Sequence, residues 1–124
     1  MTTSLKDLLA GLQREYVASI PKKCETIQAL WESGNLQDLQ TEYHKLKGTG
    51  RTYGLPEISQ LGEAMEAICL TERSFLESTV AASLRILERV RVSREAGATF
   101  AIEEDAEFQM IVGIVVGFSA KTGP

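Results

Sequence analysis

The chain contains one histidine, His44, and the residues that would share its face on a helix are of kinds that can assist it. Thr41, Lys47, Gly48 and Arg51 stand three before and three, four and seven after it, spacings that make side chains neighbours on one helical surface. A neutral imidazole at the boundary between core and water is a nucleophile or a base. Lys47 brings an ammonium group that offsets negative charge without competing as a base, which suits chemistry at a phosphoryl group. Lys45 and Arg51 extend the basic surface. Two glycines, Gly48 and Gly50, fall in the same stretch, although an interior glycine costs a helix about 1 kcal/mol relative to alanine. Close approach accounts for both. Gly50 is expected to admit a neighbouring helix. Gly48, one turn beyond His44, is expected to remove the side chain that would crowd the ring, so that a bulky partner reaches its nitrogen.

Other chemistry finds little support. Cys24 and Cys69 form no C-x-x-C pair and have one histidine to join them, so neither a redox motif nor a zinc site is expected. Both read as small buried residues in a reducing compartment. Near His44 there is no glycine-rich nucleotide motif and no acidic metal-binding cluster, which argues against a bound cofactor and against independent ATP-dependent kinase activity. A net charge of -4 argues against a broad nucleic-acid surface. The first residues carry no basic region running into an apolar stretch, so no secretory signal is expected. The longest apolar region, Met110 to Phe118, is too short to span a bilayer. A cytoplasmic protein without membrane attachment is expected.

Helical periodicity supplies the elements that hold these residues. The 124 residues suit one compact domain. Leu5, Leu8, Leu9, Leu12 and Tyr16 form one apolar stripe behind a Thr3/Ser4 cap. Pro21 ends or kinks this helix, and Cys24, Ile27, Leu30 and Trp31 form a second stripe that stops at Gly34. Asn35 is placed to cap a third helix, whose seam is Leu36, Leu39, Tyr43, Leu46, Gly50 and Tyr53. Gly54-Leu55-Pro56 makes a turn into a fourth helix with Leu55, Ile58, Leu61, Met65 and Ile68 inward. Ser74-Phe75-Leu76-Glu77 reads as a capping box for a fifth, which carries Leu76, Val80, Leu84, Leu87 and Val90 or Arg91 towards Gly97.

The third and fourth helices are then an antiparallel hairpin. His44 lies ten residues before Gly54 and Glu66 twelve after it, a mismatch of about 3 Å along the axis. Gly62, one turn before Glu66, clears the same stripe, so the carboxylate is expected to reach Nδ1-H of His44 and leave the Nε2 lone pair free. Beyond Gly97, Phe100, Ile102, Phe108, Met110 and Val112 alternate around Glu103-Glu104-Asp105. That alternation reads as a short β-hairpin. It is either a sheet edge for a partner or, as the preferred reading, a local addition that covers bundle surface or a fragment of a following domain.

His44-Lys45-Leu46-Lys47-Gly48, continuing through Tyr53-Gly54-Leu55, resembles the H-x-[LIF]-K-G-x(5)-G signature of histidine phosphotransfer (HPt) domains. The similarity in motif and helical layout covers roughly residues 4 to 95, and the tail beyond Gly97 has no counterpart in it. The resemblance implies an all-α fold, an antiparallel four-helix bundle with an additional N-terminal helical segment and here a C-terminal extension. Residues 1–97 would be the bundle and 98–124 the extension. It implies a carrier whose histidine takes a phosphoryl group at Nε2 from one protein and passes it to another. Lys47 and Gly48 would keep the roles given above. Glu66 falls where the phosphotransfer domains of chemotaxis kinases have a carboxylate bonded to the histidine, whereas many free-standing members have glutamine. Thr49-Gly50-Arg51 replaces the usual small residues, which implies that Arg51 alters partner choice.

The function expected on these grounds is a phosphorelay intermediate. His44 is the phospho-acceptor, assisted by Lys47 and Glu66, and Thr41, Lys45, Gly48 and Arg51 meet the partner. The expected partners are a response-regulator receiver domain, which supplies Mg²⁺, and a histidine kinase or hybrid kinase, with the chain itself a monomer. The alternative is a non-catalytic helical adaptor that binds or inhibits a kinase or receiver. His44 with Lys47 argues against it. An enzyme using His44 as general base lacks a supporting set of catalytic groups.

Overall fold

The computed structural model describes residues 4–71 and 73–122, with side chains up to residue 117 except those of 72 and 75. Six α-helices follow one another: α1 (Leu5–Ala18), α2 (Ile20–Glu32), α3 (Leu36–Thr52), α4 (Pro56–Thr71), α5 (Leu76–Glu95) and α6 (Ala106–Thr122). Short 3-10 turns occupy Arg73–Phe75 and Ile102–Glu104, and there is no strand among the described residues.

Local chemistry sets most of these boundaries. The Ser4 hydroxyl accepts the Asp7 N–H at 3.1 Å, and Asn35 Oδ1 accepts that of Asp38 at 3.2 Å, each satisfying a donor that the first turn leaves free. Pro21 sits in the first turn of α2, where its missing N–H costs nothing, and the break from α1 falls at Ser19. Between α3 and α4 the chain reverses at Gly54, whose φ of 81° is open to glycine at no steric cost. Leu55 N–H returns to Gly50 C=O at 2.8 Å and Gly54 N–H to Arg51 C=O at 3.1 Å, the paired closure of a helix C-terminus.

Short connections make α2, α3, α4 and α5 an antiparallel bundle. Its core takes Ile20 and Ile27 from α2, Leu39, Tyr43 and Leu46 from α3, Ile58, Leu61, Met65 and Ile68 from α4, and Val80, Ile86, Leu87 and Val90 from α5. Inside it, the hydroxyls of Tyr43 and Ser83 bond at 2.7 Å. Desolvation raises the Tyr43 pKa far above that of an ordinary phenol. Arg94 forks onto Glu57, which is 2% exposed, and also donates to the Gly54 carbonyl at 3.1 Å. The end of α5 is thereby tied to the turn that carries α3 into α4.

The α1 stripe forms its helix, but it is core only at one end. Tyr16 and Val17 are buried, whereas Leu5, Leu8, Leu9 and Leu12 are 72, 54, 54 and 44% exposed. Amphipathic spacing marks a face and says nothing about what covers it. The expected hairpin is corrected: residues 98–118 form a 3-10 turn and the helix α6 instead. The apolar positions that face inward are Phe108, Ile111, Val112, Ile114 and Val115, at helical spacing, while Met110 is 38% exposed. Asp105 starts the helix, its Oδ1 accepting the Phe108 N–H at 3.0 Å. Ile102, Phe108 and Ile111 join the bundle's own apolar cluster. Arg89 and Arg85 of α5 clamp Asp105 and Glu107 alongside. The segment covers bundle surface.

Candidate functional site

Tyr43 and Leu46 face the core, 0 and 2% exposed, so the helical turn between them carries the intervening His44 outward. Its side chain is 68% exposed. On the α4 side, Gly62 lets the two helices touch backbone to backbone. A Cβ on Gly62 would stand 2.5 Å from the Lys47 nitrogen and 2.7 Å from the Tyr43 oxygen. One turn after this crossing, Glu66 is brought level with His44, and its Oε2 lies 2.5 Å from Nδ1. The other carboxylate oxygen, Oε1, lies 3.5 Å from Lys47 Nζ. A carboxylate accepts and does not donate, so in the neutral ring the Nδ1 proton sits in this bond and the lone pair is on Nε2. The pairing of His44 with Glu66 is thus the one the residue count around Gly54 predicts. Both Glu66 oxygens are engaged, and its side chain is only 14% exposed. Among the described residues no group of three or more potential metal ligands gathers.

The other expected site residues lie around this pair on α3. Lys45 Nζ is 3.0 Å from Glu42, and the Thr41 hydroxyl donates to the Gln37 carbonyl at 3.1 Å. Gly48 and Arg51 are exposed. A Cβ at Gly48 would meet nothing within 4 Å, so an alanine methyl would not touch the His44 ring. The bare surface at Gly48 therefore relieves no crowding at the Cβ position inside the chain, contrary to the expectation that its missing side chain clears the ring. Gly50 is the opposite case. Its Cβ would strike Ser59 N at 2.6 Å and Leu55 O at 2.8 Å, as expected of a glycine on the seam.

Sequence reasoning missed the flank between α1, α2 and α3. A groove of about 490 Å³ there is lined by Leu12, Tyr16, Lys23, Glu42, Lys45, Thr49 and Tyr53, among others. The Tyr16 ring stacks on Tyr53 with centroids 5.1 Å apart, its hydroxyl bonds Thr49 at 2.8 Å, and Lys23 Nζ lies 4.6 Å from its centroid. Burial lowers the Lys23 pKa and raises that of Tyr16. These contacts join residues far apart in the chain, and only Tyr16 and Tyr53, at the ends of their stripes, signalled anything in the sequence. The groove shares Lys45 with the His44 surface and is lined by Leu12, one of the exposed leucines of α1.

A helical bundle that presents one histidine, backed by a carboxylate and bordered by lysines, has the layout of a phosphohistidine carrier. The chain matches the Hpt domain family over residues 11–99, and it belongs to that family. Hpt domains are phosphocarrier modules of two-component phosphorelays and work with receiver domains and kinases. No curated protein and no solved structure matches the chain. Among the described residues, no helix is long and apolar enough to cross a membrane.

Proposed function

We propose that this protein is a cytoplasmic phosphorelay intermediate in which His44 takes a phosphoryl group at Nε2 from the aspartyl phosphate of a receiver domain, or returns it there. The observation that carries this reading is the exposed His44 ring with Nδ1 held 2.5 Å from Glu66. Holding the proton on Nδ1 keeps Nε2 nucleophilic and ready for in-line attack, so the bundle contributes position and a prepared lone pair. Lys47 offsets phosphoryl charge. Thr41, Lys45, Gly48 and Arg51 form the surface that the partner covers, and the leucines of α1 with the adjoining groove offer it apolar anchorage. Mg²⁺ and most of the transition-state stabilisation come from the receiver. The chain has no kinase activity of its own and depends on a histidine or hybrid kinase upstream. Residues 1–97 are the transfer module and 98–124 an extension, of which Ile102, Phe108 and Ile111 brace the bundle.

The test is incubation of the full chain with phosphorylated receiver domains and cognate kinases. An acid-labile, alkali-stable label on His44 that disappears in His44→Gln, with unfolding temperature unchanged, is the expected outcome. A folded chain that no donor labels, or a His44→Gln variant that retains the label, refutes the reading.

A further inference from the structure

Of the basic residues that α3 sets around His44, two are already engaged: Lys45 with Glu42 at 3.0 Å and Lys47 with Glu66 at 3.5 Å. Arg51 is different. It is exposed, and among the described residues its guanidinium has no hydrogen bond or ion pair. Its backbone is nonetheless anchored, because the Arg51 N–H donates at 2.7 Å to the hydroxyl of Ser59, a residue that is 0% exposed. The side chain is therefore a free cation on a fixed root.

Gly48 lies between Arg51 and His44 on the same face of α3. Nothing within 4 Å requires a glycine there, and an interior glycine weakens a helix. What its bareness does provide is an open track along the helix surface. Arg51 stands two turns on from His44, about 10.5 Å along the axis. Helical side chains lean towards the N-terminus, so an extended arginine crosses more than half of that distance over Gly48. A phosphoryl group standing off Nε2 occupies much of the rest.

Resting on the reading of His44 as phospho-acceptor, we propose that Arg51 is a catalytic residue of the transfer: its guanidinium reaches across Gly48 and binds the oxygens of the phosphoryl group at Nε2. In the step, the Nε2 lone pair forms the N–P bond while the bond from phosphorus to the donor oxygen breaks. The donor carboxylate leaves with that electron pair, and the Nδ1 proton stays between the imidazole and Glu66. The transferred group keeps its charge on three equatorial oxygens throughout. A planar guanidinium matches two of them at once, as an ammonium cannot.

Phosphoramidate separates contact with the phosphoryl group from contact with a protein partner, because this small donor has no docking surface. The full chain, Arg51→Gln, Arg51→Lys and His44→Gln would be labelled with it, and the product titrated by phosphorus NMR. The expected result is labelling slowed about tenfold in Arg51→Gln, equivalent to about 1.4 kcal/mol of barrier. Its phosphoryl group should also titrate at higher pH, since losing a nearby cation favours the protonated form. Arg51→Lys should recover part of both effects, and unfolding temperatures should match, because the exposed side chain makes no hydrogen bond or ion pair among the described residues. An Arg51→Gln variant labelled at the full rate with an unmoved titration overturns the proposal, even if receiver-dependent transfer slows, and leaves His44 as acceptor. A wild-type chain that is not labelled at His44 refutes the acceptor reading and this inference together.

Discussion

Replacing Gly48 and Gly62 separately by alanine should shift stability in opposite directions. At Gly62 the new methyl would lie 2.5 Å from Lys47 N and 2.7 Å from Tyr43 O. Both are backbone atoms that cannot swing aside, so α3 and α4 must separate. Overpacking costs about 1–3 kcal/mol, and contacts this short with fixed backbone put the site in the upper part of that range, about 2–3 kcal/mol, against a gain of about 1 kcal/mol in helix propensity. A net loss of about 1–2 kcal/mol is expected, or roughly 4–8 °C in unfolding temperature for a domain of this size. At Gly48 the methyl meets nothing within 4 Å, so the propensity gain of up to about 1 kcal/mol stands alone and the unfolding temperature rises by roughly 3 °C. Circular dichroism melts and urea titrations of the two variants measure both shifts. The chemistry should follow the geometry, because separated helices carry Glu66 away from Nδ1, and NMR of the His44 ring would register the lost bond in Gly62→Ala. A Gly62→Ala variant as stable as the parent, or a destabilised Gly48→Ala, would show that the crossing of α3 and α4 is not where these distances put it.

Three further outcomes follow from other parts of the molecule. Arg94→Met leaves Glu57, 2% exposed, without its cation; a loss of about 3 kcal/mol is expected in urea unfolding, and Glu57→Gln in the same background should recover part of it. Cys24 and Cys69 have pKa values pushed by burial up to about 11 from 9.0. At pH 8 their thiolate fraction is thus about a hundredfold lower than that of a free cysteine, and a thiol reagent should react slowly until denaturant is added. The unfolded chain ionises these thiols first as pH rises. The stability they contribute is therefore whole below about pH 9 and lost as the pH climbs through about 11, which a pH series of melts would detect.

Much of the site was legible because its parts are local or pass through a short turn. The phase of His44 against Tyr43 and Leu46 follows from helical period alone. The Glu66 pairing follows from counting residues around Gly54, since an antiparallel hairpin converts sequence distance into height. Asn35, Gly34 and Gly97 mark helix ends through chemistry confined to a few residues, and the structure places boundaries beside all of them. The α6 segment was misread because a short apolar run fits two periods. The signal that resolves it, Asp105 three residues before Phe108, is a cap without an obvious helix behind it.

The sequence by itself determined which residues could do chemistry, which face of α3 carries them, and that Glu66 would stand opposite His44. Tertiary structure decided what each face meets. It left the α1 leucines exposed, since the same amphipathic stripe arises whether or not something covers it. It assigned the two glycines beside the site opposite duties, Gly62 to a backbone crossing and Gly48 to open surface. It also paired Lys45 and Lys47 while leaving Arg51 without an ion pair among the described residues. A lysine or a glycine reads the same in any sequence, and its role depends on which atoms from distant parts of the chain come within a few ångströms of it.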